Sequence, residues 1–270
     1  MDYSNPRQRA AFFDLHSDNP REAPGDRAST LRALAAVTAE HNPRRILDIG
    51  CGPGLQTQHL LDELLDESNT KNTEDDAIEL VAADLNPPFV AQVNQWSANY
   101  PAGVVRAVQA DMTKLRLGEL LGAQPFDLIW CEGAAYIMGI TEALRQWRSL
   151  LTEPGYIAFT ECVFLQESVP EAVQRNWAEY PAMTTVEGAA NWVREAGFEL
   201  LDCFVLPPEA WWAYYDPLQL RVDKLRDRYL NDPDGTLVIE EGQSEIDVYR
   251  EYGDYFGYAF FVARSEPRQT

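Results

Sequence analysis

The stretch "ILDIGCGPGLQT", from Ile46 to Thr57, carries the strongest structural signal in the sequence. Its apolar first half predicts a buried strand, and three glycines then alternate at Gly50, Gly52 and Gly54. Glycine is entropically costly, so glycines this close together mark backbone that turns sharply or approaches a neighbour closely. The stretch therefore predicts either an ordinary strand-to-helix turn or a cradle for a nucleotide-like ligand.

Strands and helices alternate on the carboxyl side of this stretch. Apolar segments that read as strands cover residues 46–50, 78–85, 103–111, 126–133 and 156–164, with helical patterns or turns between them. A sixth strand follows within residues 186–206, and an aromatic strand covers 255–263. Such alternation is typical of βαβ units with right-handed crossovers and a parallel sheet. We expect an α/β fold, doubly wound, with helices on both faces.

The overall composition excludes several classes of partner. The chain has 22 Lys and Arg against 43 Asp and Glu, a formal net charge of −21, and nucleic-acid surfaces need clustered cations. We therefore expect no nucleic acid as partner. No apolar run reaches the length of a membrane span, and the first residues lack the core of a secretory signal, so we expect a cytoplasmic protein without a membrane partner. Four dispersed cysteines and three histidines have no metal-ligand spacing, so we expect no metal.

Polar residues stand where the second and third strands end. Ligands of open α/β sheets bind beyond the carboxyl ends of the strands. Asp84 ends the second strand, and a carboxylate there can accept hydrogen bonds from both hydroxyls of a ribose. Asp111 can accept from an exocyclic amine, and Met112 can lie against an adenine face. Together with the glycine stretch, these residues predict a nucleoside pocket.

This combination resembles the class I S-adenosylmethionine-dependent methyltransferases. The resemblance rests on "LDIGCGPG", Asp84, "ADM", "FDLIWCEGAAY" and "EPGYIAFTE", and it covers roughly residues 30–206. The chain is also similar to a prokaryotic group of small-molecule type with unassigned substrates, in "PREAPGDRASTLRAL", "IWCEGAAYIMG", "ALRQWRSLL" and "YFGYAFFVA". The resemblance implies a Rossmann-like, seven-stranded, mainly parallel sheet whose last strand runs antiparallel beside the sixth.

The resemblance also implies the cofactor, S-adenosylmethionine, with S-adenosylhomocysteine as its product. The glycines would surround the methionine moiety, Asp84 would hold the ribose, and Asp111 with Met112 would hold the adenine. The implied cofactor-binding residues are Asp48, Gly50, Cys51, Gly52, Gly54, Asp84, Leu85, Asp111, Met112 and Glu132.

Candidate acceptor contacts lie at the ends of the fourth and fifth strands and near the amino terminus. Glu132 can orient an amine, or act as a base if burial raises its pKa. Tyr136 and His16 are the other catalytic candidates, and Glu161 is a further acceptor contact. Each of these residues has a structural alternative, such as capping a helix. Methyl transfer depends chiefly on alignment and needs a base only for a protonated acceptor.

The pattern divides the chain into four parts. We predict an amino-terminal arm or lid over residues 1–28, the methyltransferase core over 29–206, a helical insert over 207–254 and the last core strand over 255–264. The acidic, polar stretch 66–77 is interpreted as a loop insertion without an assigned function. A homodimer and a well-covered monomer are both compatible with the apolar last strand and the insert.

Three functions remain open on the sequence. The leading hypothesis is a methyltransferase that acts on a small-molecule acceptor. The alternatives are a non-catalytic S-adenosylmethionine-binding protein and a nicotinamide-dependent oxidoreductase. The G-x-G-x-G spacing differs from the dinucleotide G-x-G-x-x-G motif and disfavours the oxidoreductase. The acceptor atom, whether N, O, S or C, is not determined.

Overall fold

One mixed β-sheet organises the computed structural model, which describes residues 4–68 and 77–267. Its strands are β1 (Arg45–Ile49), β2 (Glu79–Asp84), β3 (Val105–Gln109), β4 (Phe126–Cys131), β5 (Leu151–Phe164), β6 (Thr184–Thr185), β7 (Phe198–Val205) and β8 (Phe256–Ser265). The main order across the sheet is β3-β2-β1-β4-β5-β8-β7. The first five strands are parallel, and β8 runs antiparallel to both β5 and β7.

Helices cover both faces of this sheet. They are α1 (Pro6–Leu15), α2 (Arg27–Thr38), α3 (Leu55–Ser68), α4 (Pro87–Trp96), α5 (Ile140–Arg148), α6 (Glu171–Asn176), α7 (Val186–Glu195), α8 (Pro208–Tyr229) and α9 (Pro233–Tyr252). One buried cluster joins the sheet to residues of α1–α4, α6, α8 and α9, and the other joins it to α5 and α7. The predicted doubly wound α/β fold is confirmed, and so is the antiparallel last strand.

The strand count differs from the expected seven. The additional strand, β6, consists of Thr184 and Thr185 and pairs only with the end of β5. A two-residue strand has no period from which it could be predicted. The fifth strand, predicted over 156–164, also begins earlier, so that "EPG" at residues 153–155, which the sequence indicates as a turn, lies inside β5. The pairing of β5 with β4 shifts register there, between Phe126 and Leu128. The turn residues therefore form an irregularity within one long strand.

Two predicted segments, the amino-terminal arm and the 66–77 insertion, contain helix in the structure. Helix α1 occupies part of the arm, where the Asn5 side chain caps it by accepting from the Arg7 backbone N–H at 2.9 Å. The first residues of the predicted 66–77 insertion instead continue α3 to Ser68. Residues 69–76 of that insertion lie outside the described residues.

The aromatic residues of the helical insert form part of the core. Trp211 of α8 stacks on Tyr249 of α9 with 4.2 Å between the ring centroids, and both are buried. Trp211 also contacts Tyr258 of β8 at 5.2 Å. The insert is therefore fixed to the sheet by aromatic packing. Among the described residues, no helix is long and apolar enough to cross a membrane.

The insertion of β8 between β5 and β7 predicts a large effect of truncating its central side chain. Phe261 is fully buried and stacks on Phe159 of β5 at 5.3 Å. We expect Phe261→Ala to lower the free energy of unfolding by about 3–5 kcal/mol, because it leaves a cavity in the core. Leu220→Ala, at a position 71% exposed on α8, is the control and should change it by less than about 0.5 kcal/mol. If urea unfolding gave equal losses for the two variants, the core position of Phe261 would be contradicted.

Candidate cofactor and acceptor site

A cavity of about 260 Å³ lies at the carboxyl edge of the sheet. Its walls come from the ends of the first four strands in the sequence and from residues 21–23 of the arm. The predicted site residues that line it are Gly50, Cys51, Gly52, Asp84, Leu85, Asp111, Met112, Glu132 and Tyr136. Asp48, Gly54 and His16 are not among the lining residues. The carboxyl ends of four separate strands thus meet at one concave site.

The three glycines of the loop after β1 face different surroundings. All three have positive φ, which L side chains rarely adopt. A Cβ at Gly52 would have only Glu22 within 4 Å, at 3.8 Å, so this glycine faces the cavity. A Cβ at Gly54 would instead lie 2.7 Å from Trp96 of α4. Gly54 therefore permits the packing of α4 against the loop, and its role in cofactor binding stays a prediction.

Asp84 supports the glycine loop from the end of β2. Its carboxylate accepts a hydrogen bond from the Gly52 backbone N–H at 2.9 Å and another from Asn86 N–H at 2.8 Å. Burial raises the pKa of Asp84, and these two donors act in the opposite direction. Each oxygen keeps acceptor capacity toward the cavity. Asp84 can therefore hold the loop and a ligand hydroxyl together.

Asp48 lies behind the same loop, away from the cavity. It is fully buried and accepts hydrogen bonds from the Thr57 hydroxyl at 2.5 Å and the Gln56 amide at 3.3 Å. Burial raises its pKa to about 7. The carboxyl group connects β1 to the first turn of α3, so its geometry supports the loop from within the protein.

Asp111 and Met112 border the cavity where β3 ends. The Asp111 carboxylate accepts from the Thr113 hydroxyl at 2.6 Å and from the Lys114 ammonium at 2.7 Å. Lys114 is the main reason that the pKa of Asp111 is lowered to about 2. Asp111 is therefore an ionised hydrogen-bond acceptor at neutral pH, and the Met112 thioether lies beside it in the wall.

A buried ion pair closes the cavity on its opposite side. The Arg21 guanidinium donates to Glu132 Oε2 at 2.8 Å, while Glu132 Oε1 accepts from the Thr30 hydroxyl at 2.8 Å and the Trp130 indole N–H at 3.0 Å. Arg21 also donates to the Ala23 carbonyl at 2.6 Å. These bonds occupy both oxygens of Glu132 and fix the arm and α2 to the end of β4. The proposed catalytic role of Glu132 stays a prediction.

Glu22 and His16 form a second pair next to the glycine loop. Their side chains are 2.6 Å apart, between Glu22 Oε2 and His16 Nδ1. Within the described part of the chain, no hydrogen bond of normal geometry reaches the buried Glu22 Oε1, and the Asn19 side chain interacts with this carboxyl group. Burial raises the pKa of Glu22. Glu22 lines the cavity, but His16 lies behind it with its ring on Phe12 at 4.2 Å. The catalytic role of His16 thus stays a prediction.

Arg21 and Glu22 line the cavity although neither belongs to the predicted cofactor-binding set. They reach it through contacts between distant parts of the sequence, since Arg21 and Glu132 are 111 residues apart. The nearest sequence signal is "PREAPGD", whose prolines and glycine indicate an irregular segment without showing where it folds.

The chain matches one protein-family model and shares its fold with solved methyltransferases. A family model described as a methyltransferase domain matches residues 40–220. The S-adenosylmethionine-dependent methyltransferase of Geobacter sulfurreducens, solved with S-adenosyl-L-homocysteine, is 18% identical, with 96% of this chain and 98% of that chain covered and a TM-score of 0.75. Its counterpart from Thiobacillus denitrificans, solved with the same ligand, is 19% identical, with 94% and 98% covered and a TM-score of 0.74.

The fold is shared more widely. The cyclopropane synthase MmaA2 of Mycobacterium tuberculosis is 15% identical, with 94% of each chain covered and a TM-score of 0.66. No curated protein matches the sequence. Identities this low show a common fold, and the acceptors of these proteins do not carry over to this chain.

The Arg21–Glu132 pair predicts a stability effect. Arg21→Met leaves a buried carboxylate without its cation and should lower the free energy of unfolding by about 3–5 kcal/mol. Arg27→Met removes an ion pair to Glu63 that is largely exposed and should cost less than about 1 kcal/mol. Chemical unfolding of both variants checks this, and a double variant with Glu132→Gln should recover part of the loss. Similar losses for Arg21→Met and Arg27→Met would contradict it.

The raised pKa of Asp48 predicts that the stability of the protein depends on pH. This pKa is about 7 in the folded protein and about 4 when unfolded, so the native state holds this proton more tightly. Its contribution to stability is therefore present at low pH and is lost as pH rises from about 4 to about 7. Asp48→Asn cannot ionise, so its stability relative to the wild type should increase between pH 4.5 and 7.5. Unfolding free energies at both pH values measure this, and a constant difference would refute it.

Proposed function

Because the chain belongs to the family of methyltransferase domains, we propose that it transfers a methyl group from S-adenosylmethionine to a small-molecule acceptor. The observation that carries this proposal is the glycine loop. Gly52 is open toward the cavity, and its backbone N–H is bonded to Asp84, whose carboxylate lines the same wall. This arrangement suits a nucleoside with a charged tail.

The residues of the cavity fit each part of this methyl donor. Asp84 has the acceptor capacity for the ribose hydroxyls, and Met112 with Asp111 offers an apolar surface and an acceptor for the adenine. Glu22 lies beside Gly52 in the cavity wall, and its carboxyl group suits the ammonium of the methionine moiety. Four carboxylate side chains line the cavity together with Arg21, and this excess of negative charge suits a ligand that carries a sulfonium charge.

When bound, the donor supplies a methyl carbon whose bond to sulfur breaks, leaving the electron pair on sulfur, as a lone pair of the acceptor bonds to that carbon. The chain's own contribution is alignment, which can supply about 7–11 kcal/mol in favourable cases. Asp84 and the loop fix the donor side, and the Arg21–Glu132 pair holds residues 21–23 over the cavity, where they exclude water.

The proposed function also includes the class of acceptor, a lid and a cover over the acceptor side. The net charge of −21 supports a small molecule, and disfavours nucleic acid, as acceptor. The arm over residues 1–28 acts as the lid, and the insert over 207–254 covers the acceptor side. A cytoplasmic location stays a prediction. A non-catalytic protein that binds the same donor would share these contacts, so product formation distinguishes the two functions.

Calorimetry on the purified chain tests the donor. We expect S-adenosylmethionine and S-adenosylhomocysteine to bind and NAD to bind far more weakly. Gly52→Val should weaken both sulfur ligands at least tenfold, because its side chain would enter the cavity. Gly103→Val is the matched control, since Gly103 also has a positive φ and a Cβ there meets nothing within 4 Å. A folded wild type that binds neither sulfur ligand, or prefers NAD, would overturn the proposal.

A further inference from the structure

Glu161, near the carboxyl end of β5, carries a buried carboxyl group without a conventional partner. The residue is 2% exposed, and in the described part of the chain no hydrogen bond of normal geometry reaches either oxygen. An isolated buried charge is costly, and buried polar groups in native proteins are nearly always paired. The cofactor contacts described above do not use Glu161. The Tyr180 hydroxyl and the Cys162 backbone N–H interact with this carboxyl group, and its oxygens keep acceptor capacity for a further donor.

Tyrosine rings connect Glu161 to the cavity. The hydroxyl of Tyr180 interacts with the Glu161 carboxyl group and is itself buried without a hydrogen bond of normal geometry among the described residues. The Tyr180 ring meets the ring of Tyr136 edge-on, with 6.0 Å between the centroids. Tyr136 lines the cavity and is 45% exposed. The rings of Tyr180 and Tyr136 thus connect the carboxyl group to the cavity wall.

The charges around the cavity favour a cation. Glu22, Asp84, Asp111 and Glu132 line it, whereas Arg21, the cation among its lining residues in the described part of the chain, is already bound to Glu132. Burial raises the pKa of Glu161 to about 8, so the free carboxyl group avoids most of the cost of a buried charge at neutral pH. An incoming cation would stabilise the ionised form.

We propose that Glu161, Tyr180 and Tyr136 form the acceptor subsite and select a small molecule that carries a protonated amine. An ammonium group offers three donors to an acceptor-only carboxylate, and tyrosine faces attract cations. An alcohol offers one donor and no charge, and a carboxylate would be repelled by the acidic residues that line the cavity. This assignment rests on the proposed function, because the subsite adjoins the donor cavity.

The test uses the full chain saturated with S-adenosylhomocysteine and three matched probes: 2-phenylethylammonium, 2-phenylethanol and 3-phenylpropanoate. A second series with propyl in place of the aromatic group covers a smaller site. Binding is measured by saturation-transfer NMR. Calorimetry with S-adenosylhomocysteine comes first, so a failure of the donor proposal is recognised before the acceptor is tested.

We expect an ammonium probe to bind at least tenfold more tightly than its alcohol and acid counterparts. Glu161→Gln should abolish that preference without changing the affinity for S-adenosylhomocysteine. Glu167→Gln, which removes the same charge at an exposed site shortly after β5, should retain it. Tyr180→Phe should weaken ammonium binding, and it replaces Glu161→Gln as the test if that variant does not fold.

Three results would overturn the subsite while leaving the donor proposal intact. They are normal donor binding with no ammonium probe bound, a preference for the alcohol or the acid, and an unchanged ammonium preference in Glu161→Gln. The last result would mean that Glu161 is a protonated core residue that contacts no ligand.

Discussion

The buried pair of Arg21 and Glu132 is the interaction on which the site depends. It connects a segment before the first strand to the end of β4, and the hydroxyl of Thr30 and the indole of Trp130 complete the hydrogen bonding of the carboxylate. Without these additional bonds, the cost of removing two charges from water would exceed their attraction. The pair gives the open edge of an α/β sheet its second wall, formed by residues 21–23.

The acidic residues around that wall have different roles because their surroundings differ. Asp111 lies beside Lys114 and is ionised, whereas Asp48 lies in the interior, where burial raises its pKa to about 7. Asp84 stands between these cases, half-buried and bonded to the loop that it supports. One type of side chain thus provides an ionised acceptor at the cavity, an internal connection and a loop support at neighbouring strand ends.

The sequence predicts one half of the site far better than the other. The cavity residues Gly52, Asp84 and Met112 follow strands with clear apolar patterns, and parallel strands bring their carboxyl ends to one edge. The opposite wall depends on pairs such as Arg21 with Glu132, which have no local pattern. The surroundings of Gly54 could not be predicted for a similar reason, because they depend on where α4 places Trp96. The burial of the Glu161 carboxyl group next to Tyr180 likewise depends on the folded position of β5.

The position of β8 also determines when the sheet can be completed during synthesis of the chain. This strand is the last described along the chain, yet it lies between β5 and β7 and pairs with both along most of its length. As the polypeptide emerges from the ribosome, β5 and β7 are made first and expose unpaired edges that invite association with other chains. The sheet becomes continuous only when the last strand enters the gap. Biosynthesis of this protein therefore passes through a period in which chaperone protection of those two edges has the greatest value.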